Sequence, residues 1–232
     1  MDAEEYSKHK QFYSGDVPKL LSEYINEVDW KNYLDLGCGD GSLLFALNKK
    51  GYFNNKVVYA VDLSENRINL VKKINKDFIC FVGDACNIKN IEDGSIDFLT
   101  SSQLIEHVSN DGDLAEEIYR ILKKNGIVYL STIFKKWYGW YFYRNNNQWM
   151  LDPTHLREYK SDFELLSLFD ENKFEVLENR KSSLFFPIID SLARKLRINN
   201  KKLCDNKLLS LLRKIKRPVL GYYVWEIVLK KK

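Results

Sequence analysis

Histidine and cysteine are scarce in this chain of 232 residues, which has three of the first and four of the second. The cysteines, Cys38, Cys80, Cys86 and Cys204, lie far apart and form no Cys-x-x-Cys pair. That spacing excludes a disulfide framework, argues against a zinc site, and leads us to expect no metal ligands. Long apolar runs are missing too: none approaches the ~20 residues that span a bilayer. The amino-terminal MDAEEYSKHK is polar, without the apolar core of a signal peptide, so a reducing, cytoplasmic setting is expected. Repeats and low-complexity linkers are absent as well, which favours a single domain over 1–232.

What is present is a globular composition. Apolar residues make up 45%, charged residues 29% and aromatics 14%, which excludes disorder, collagen and coiled coil. The net charge of +4 is unevenly placed. Residues 194–217 carry ten Lys/Arg against one Asp, and Lys230–Lys232 add three more, which leaves the rest of the chain at −8. A nucleic-acid binder spreads its positive charge over a working face. Here an acidic body carries a local basic attachment, so nucleic acid is not the expected partner.

Periodicity alternates from about residue 18 to 132. Helical stretches near 18–25, 42–50, 64–74 and 114–123 separate apolar runs at 33–36, 56–61, 78–82, 96–101 and 127–132. Strands separated by helices predict a mostly parallel sheet covered on both faces. Residues 134–160 then read as an aromatic, loop-like insertion. A helix near 161–172 and a strand at 174–179 follow. A basic, mostly helical insertion at 183–217 precedes a last strand at 222–229.

The sharpest signal is Leu34-Asp35-Leu36-Gly37-Cys38-Gly39-Asp40-Gly41. Glycines at alternate positions directly after a strand let the backbone turn tightly and approach a ligand that no Cβ would admit. The amides at the start of the next helix point at that ligand. The Gly-Lys-Ser/Thr of a phosphate loop is missing, and Asp35 would face a diphosphate unscreened, so a ligand bearing an amino group suits the turn better. Asp62, with Leu63 beside it, ends the second strand, where a carboxylate can take both hydroxyls of a ribose. Asp84 ends the third and can accept from an exocyclic amine, while Ala85 offers its backbone N–H to a ring nitrogen. Taken singly, Asp62 or Asp84 also reads as a helix or turn cap; together with the glycine turn both point to ligand binding.

These residues resemble the class I S-adenosylmethionine-dependent methyltransferases of the small-molecule branch. The likeness covers about 30–132 and rests on LDLGCGDG, VDLS, VGDA, the DFLTSSQLIEHV segment and LKKNGI, in that order. Asn125-Gly126 stands where the family usually has Pro-Gly. The resemblance implies a Rossmann-like fold with a seven-stranded sheet. It also implies S-adenosylmethionine as donor and S-adenosylhomocysteine as product. Asp35, Gly37 and Gly39 would line the methionine moiety, Asp62 the ribose, Asp84 and Ala85 the adenine, and Ser102 or Gln103 the sulfonium side.

For the acceptor, two histidines are candidates for a base: His107 in Ile105-Glu106-His107-Val108, and His155 in Asp152-Pro153-Thr154-His155-Leu156-Arg157-Glu158-Tyr159. The second stretch is similar to one beside the active site of some superfamily members. His107 has an alternative role in orienting its helix. Of the aromatic run, Trp137 and Tyr141 are expected to pack, with Tyr138, Tyr143 or Arg144 facing the acceptor together with Arg157. Tyr6 or Tyr13 would close the pocket from the amino-terminal segment. The expected activity is O-methylation of a small-molecule or glycan-type acceptor. Alternatives are a quinone or lipid-linked acceptor at a membrane, and a non-catalytic cofactor-binding scaffold. The stretch 201–217 reads either as a lid helix or as a basic amphipathic helix contacting an anionic membrane.

Overall fold

A computed structural model describes residues 16–145, 147–187 and 215–232. Tyr6, Tyr13 and nearly all of the basic stretch 194–217 lie outside the described residues.

Helix α1 (Lys19–Glu27) turns Leu20, Leu21 and Ile25 inward and leads to β1 (Asn32–Leu36). Then come α2 (Ser42–Lys49), β2 (Val57–Asp62), α3 (Glu65–Val71), β3 (Ile79–Val82) and β4 (Ile96–Ser102). Helix α4 (Asp111–Ile121) runs directly into β5 (Leu122–Lys135). After a small hairpin of β6 (Tyr143–Asn145) and β7 (Gln148–Met150) come α5 (Asp162–Leu166), β8 (Phe174–Pro187) and β9 (Lys216–Lys231). One seven-stranded sheet has the order β3-β2-β1-β4-β5-β9-β8. The pairs from β3 to β5 are parallel, and β9 is antiparallel to both neighbours.

Strand alternation sends each residue to one of two apolar layers. Tyr33, Val58, Phe98 and Tyr129 meet Leu20, Leu21, Leu44, Leu47 and Ile68 on one face. Leu34, Leu99, Leu130 and Ile227 meet Leu114, Ile118, Ile121 and Leu165 on the other. Both faces are therefore covered, as βαβ crossovers require, and the crevice outside the carboxyl ends of β1, β2 and β4 is left for a ligand. Caps stop the helices where the pattern changes: Ser64 accepts from the Arg67 N–H and Asn110 from Gly112 and Asp113.

Three expectations need correction. Residues 134–160 are not all loop, because Phe134 and Lys135 extend β5 and Tyr143–Met150 holds the β6/β7 hairpin. Aromatic crowding hid the alternation there. The insertion does not begin at 183 or end at 217, because β8 and β9 stay paired out to Pro187 and Lys216. There Leu184, Val219 and Tyr222 bury a separate apolar cluster with Ile133, Tyr141 and Leu151, contacts from distant parts of the chain that the local sequence does not record. The helix foreseen at 161–172 is only Asp162–Leu166.

Candidate functional site

The glycine turn after β1 is pinned to β2, since the N–H groups of Gly37 and Cys38 both donate to the Val61 carbonyl, at 2.9 and 3.0 Å. Gly37 sits at φ +70°, and a Cβ there would come within 2.6 Å of Leu104, so its bareness lets the loop after β4 close against the turn. Gly39, at φ +57°, would send a Cβ into open space with nothing within 4 Å. That gap is the cradle.

Two carboxylates flank the cradle. Asp35 is buried on β1 and accepts from Thr100 Oγ1 at 2.7 Å, Thr100 in turn lying 2.6 Å from the Tyr33 hydroxyl. Burial raises its carboxyl to about 7, the Thr100 bond opposing and the Asp62 charge adding to the rise. Asp62 is buried as well. Its Oδ2 accepts from Gly39 N–H and its Oδ1 from Ser64 N–H, each at 2.9 Å, and Arg67 stands 3.6 Å away. A carboxylate has about four acceptor directions, so two remain for a ligand. Leu63 beside it is 65% exposed, a bare apolar surface at the rim. Asp84 is exposed and accepts from Cys86 N–H at 2.9 Å, the cap geometry foreseen as its alternative reading; Ala85 is buried. The loop that follows is held by α4: Glu117 accepts from Ile88 N–H, and Arg120 donates to the Ile88 and Ile91 carbonyls.

The far side of the crevice comes from β4, β5 and the segment 150–159. Ser102 Oγ lies 2.8 Å from Ser131 Oγ. Gln103 takes a left-handed φ of 52° and its N–H donates to the Ser131 carbonyl. The structure joins His107 and His155, 48 positions apart, with ring centroids 4.8 Å apart and edge to face. Glu106 lies with them, fully buried, accepting from Thr132 Oγ1 at 2.8 Å. His107 Nδ1 donates to the Thr154 carbonyl at 3.2 Å, and His155 Nδ1 faces Glu158 Oε1 at 2.9 Å. Burial, with His155 adding, pushes His107 down to about 4, so it is neutral at pH 7. Glu158 Oε2 lies 3.3 Å from Lys135 and accepts from the Tyr222 hydroxyl at 3.2 Å; the hydrogen bonds from His155 and the Leu151 N–H, with Lys135 adding, hold its carboxyl below the usual range despite burial. Sequence reasoning passed over Glu106, Glu158 and Lys135. The polar density of 152–159 was the signal available for Glu158, whereas Lys135 had none.

Arg157 holds backbone: its guanidinium donates to the carbonyls of Ile105, Val108 and Ser109 and lies 3.3 Å from Asp111. It clamps the histidine-bearing segments together, a role the sequence reading did not give it. Tyr141 packs as expected, but Trp137 is 90% exposed and does not pack, since its turn projects beyond the end of β5. Tyr138 is partly exposed and hydrogen-bonds to Tyr223, Tyr143 is half-buried near Tyr141, and Arg144 lies over the exposed Trp149 ring at 5.5 Å.

A doubly covered sheet with a glycine cradle and acidic strand ends defines a nucleoside-binding α/β protein. Comparison narrows it. Residues 34–130 match the family model described as a methyltransferase domain. It is similar to the tRNA N(3)-methylcytidine methyltransferase trm140 of Schizosaccharomyces pombe, with 26% identity over 52% of this chain and 42% of that one. It shares 26% with the malonyl-[acyl-carrier protein] O-methyltransferase of Marinomonas sp., over 78% and 66%. With the ubiquinone biosynthesis O-methyltransferase of Saccharophagus degradans it shares 27%, over 51% of each chain. The chain thus spans between about a fifth and two thirds of the curated relatives it matches. Two solved structures share the fold. The [4+2]-cyclase SpnF has a TM-score of 0.64 at 18% identity, over 91% of this chain and 80% of that one. Coclaurine N-methyltransferase bound to N-methylheliamine and S-adenosylhomocysteine has 0.61 at 18%, over 91% and 71%. The open cradle at Gly39 and the exposed Leu63 fit a bound S-adenosylmethionine.

Proposed function

We propose that the chain methylates an oxygen of a small-molecule or glycan-type acceptor. The observation that carries this reading is the Glu106–His107–His155 cluster, whose first two members follow Leu104 in the loop that closes on the glycine turn at Gly37. When bound, S-adenosylmethionine supplies a methyl group on a sulfonium: the O–CH3 bond forms as the S–CH3 bond breaks, and the electron pair stays on sulfur. What is left to the protein is to align the acceptor hydroxyl and take away its proton. Asp35, Asp62, Leu63, Asp84 and the Gly37–Gly39 turn hold the donor, and Ser102 and Gln103 border the reacting end. His107 and His155 act on the hydroxyl. Arg157 is a positioning residue, and Tyr138, Tyr143 and Arg144 line the acceptor approach.

Two relatives with O-methyltransferase names support oxygen, while the cyclase with the same fold is a reminder that architecture does not set chemistry. A nucleic-acid acceptor is not proposed, because the chain's excess positive charge sits in 194–217 and the tail. The test is calorimetric titration with S-adenosylhomocysteine, on the wild type and Asp62→Ala, followed by an acceptor screen for transferred methyl. Micromolar binding lost in the variant supports the reading; a wild type that binds no S-adenosylhomocysteine overturns it.

One observation favours a second reading, a quinone or lipid-linked acceptor at an anionic membrane. Trp137, Trp140, Phe142 and Trp149 form an exposed aromatic surface. Aromatic rings flanked by cations suit a headgroup layer. No helix among the described residues is long and apolar enough to cross a membrane, so contact would be peripheral. Co-sedimentation with anionic vesicles at low salt tests it.

A further inference from the structure

We infer that Glu106, His107 and His155 hold one divalent transition-metal ion of the zinc class, with a coordination position open toward the acceptor oxygen. The ion's catalytic role, though not its binding, rests on the methyl-transfer reading above.

Three independent features point to a cation. The first is the donor set. One ligand atom from each residue lies within 4.8 Å of the others. A tetrahedral ion about 2.1 Å from each donor sets them roughly 3.4 Å apart, a difference that small side-chain rotations close. Two imidazoles with one carboxylate is a set that zinc takes in catalytic sites, where a fourth position stays open.

The second feature is an orphan. Glu106 Oε1 is buried and has no hydrogen-bond partner, while Oε2 is engaged by Thr132. Burying a carboxylate oxygen without a partner is costly, and native structures rarely leave such an atom unsatisfied. A cation beside the two imidazoles supplies what the protein does not.

The third is the arrangement behind the histidines. The Thr154 carbonyl and the Glu158 carboxylate face Nδ1 of the two rings and are hydrogen-bond acceptors, so a neutral imidazole in either place keeps its proton on Nδ1. That leaves the Nε2 lone pair of each ring available for a metal. A ligating histidine whose other ring nitrogen is held by a carboxylate or carbonyl is the recurrent support of metal sites. Glu158 is itself fixed by Leu151 N–H, at 2.6 Å, and by Lys135 and Tyr222. Arg157 locks the two segments that bring the donors together.

An ion here acidifies the hydroxyl by coordinating its oxygen, and the released proton passes to solvent. His107 and His155 then serve the transfer as ligands rather than as proton acceptors.

The test uses the full chain, stripped with a chelator and titrated calorimetrically with Zn²⁺, alongside elemental analysis after loading and dialysis. We expect one Zn²⁺ per chain. Affinity should fall at least tenfold in Glu106→Gln and in His155→Gln, and about 10–100-fold in Glu158→Gln, which keeps all three donors but alters the support of His155. Loading with Co²⁺ should give visible d–d absorption that is lost in the same variants. Circular dichroism and an unchanged S-adenosylhomocysteine affinity show that the variants are folded. The proposal is overturned if the wild type retains no Zn²⁺. It is also overturned if retention is unchanged in the Glu106→Gln/His155→Gln double variant, which would place the ion elsewhere. Because Zn²⁺ and S-adenosylhomocysteine are titrated separately, a failure of the donor site is read apart from a failure of the metal site.

Discussion

Along the carboxyl edge of the sheet, two halves of one crevice are built differently. The proposed donor half, at the ends of β1, β2 and β3, uses backbone amides, a bare glycine and three aspartates, all within positions 35–85. The proposed acceptor half, beyond β4 and β5, uses side chains from 102 to 158, steadied by Lys135 and, from the far end of the chain, by Tyr222. A cradle made of backbone tolerates change in most of its side chains and is sensitive at its glycines and charges. A cluster of buried polar side chains depends on every member, since removing one leaves its partner unsatisfied.

The contrast is sharpest for turnover. His155→Ala should lower kcat by about 10²–10⁴-fold while leaving S-adenosylhomocysteine affinity unchanged. A proportional loss of both in steady-state and calorimetric measurements would erase the division between the halves.

Next in size is the pH response of Asp35. Its folded pKa of about 7 lies above the ordinary value of 3.8, so between those values the folded state binds the extra proton. This group's contribution therefore weakens as pH rises from about 4 to 7, by up to ~4 kcal/mol. Asp35→Asn should gain on the wild type across that window, measured by urea midpoints, and show no gain below pH 4. An amino-bearing ligand recruits the ionised form, so S-adenosylhomocysteine should bind the wild type more tightly as pH climbs through 7.

Asp62→Ala should weaken S-adenosylhomocysteine binding about 10–100-fold, the range for a lost charge-assisted hydrogen bond. Its turnover at saturating donor should change far less, and an equal collapse of kcat would tie Asp62 to the acceptor side. Smaller still are the glycine variants. A left-handed alanine costs ~1–2 kcal/mol, so Gly37→Ala and Gly39→Ala should each lower Tm by about 2–8 °C. Only Gly39→Ala places its Cβ in the donor space, so it alone should also lose affinity through that atom. Least of all, replacing both Trp137 and Trp140 by Ala should leave Tm in place and reduce vesicle binding alone.

Local sequence order carries local chemistry, and that is why the donor half was legible. Asp35, Gly37 and Gly39 lie within five positions, and Asp62 and Asp84 each end an apolar run that announces its own strand. Apolar periodicity likewise marked β1 to β5 and the helices between them. It failed where distant segments supply the packing or where side chains are exposed: the β8/β9 ribbon past 183, whose Leu184 meets Ile133 and Tyr141, the β6/β7 hairpin and the exposed Trp137.

The sequence alone determined a mostly parallel sheet with helices on both faces, a glycine turn and acidic strand ends, because those features follow from spacings of two to four residues. Only the tertiary structure decided that His107 and His155 meet, that Glu106 is buried with an unsatisfied oxygen, and that Arg157 clamps backbone instead of facing a ligand. Each of these depends on contacts across about 50 positions of chain. Packing sets such distances, and no local pattern records them.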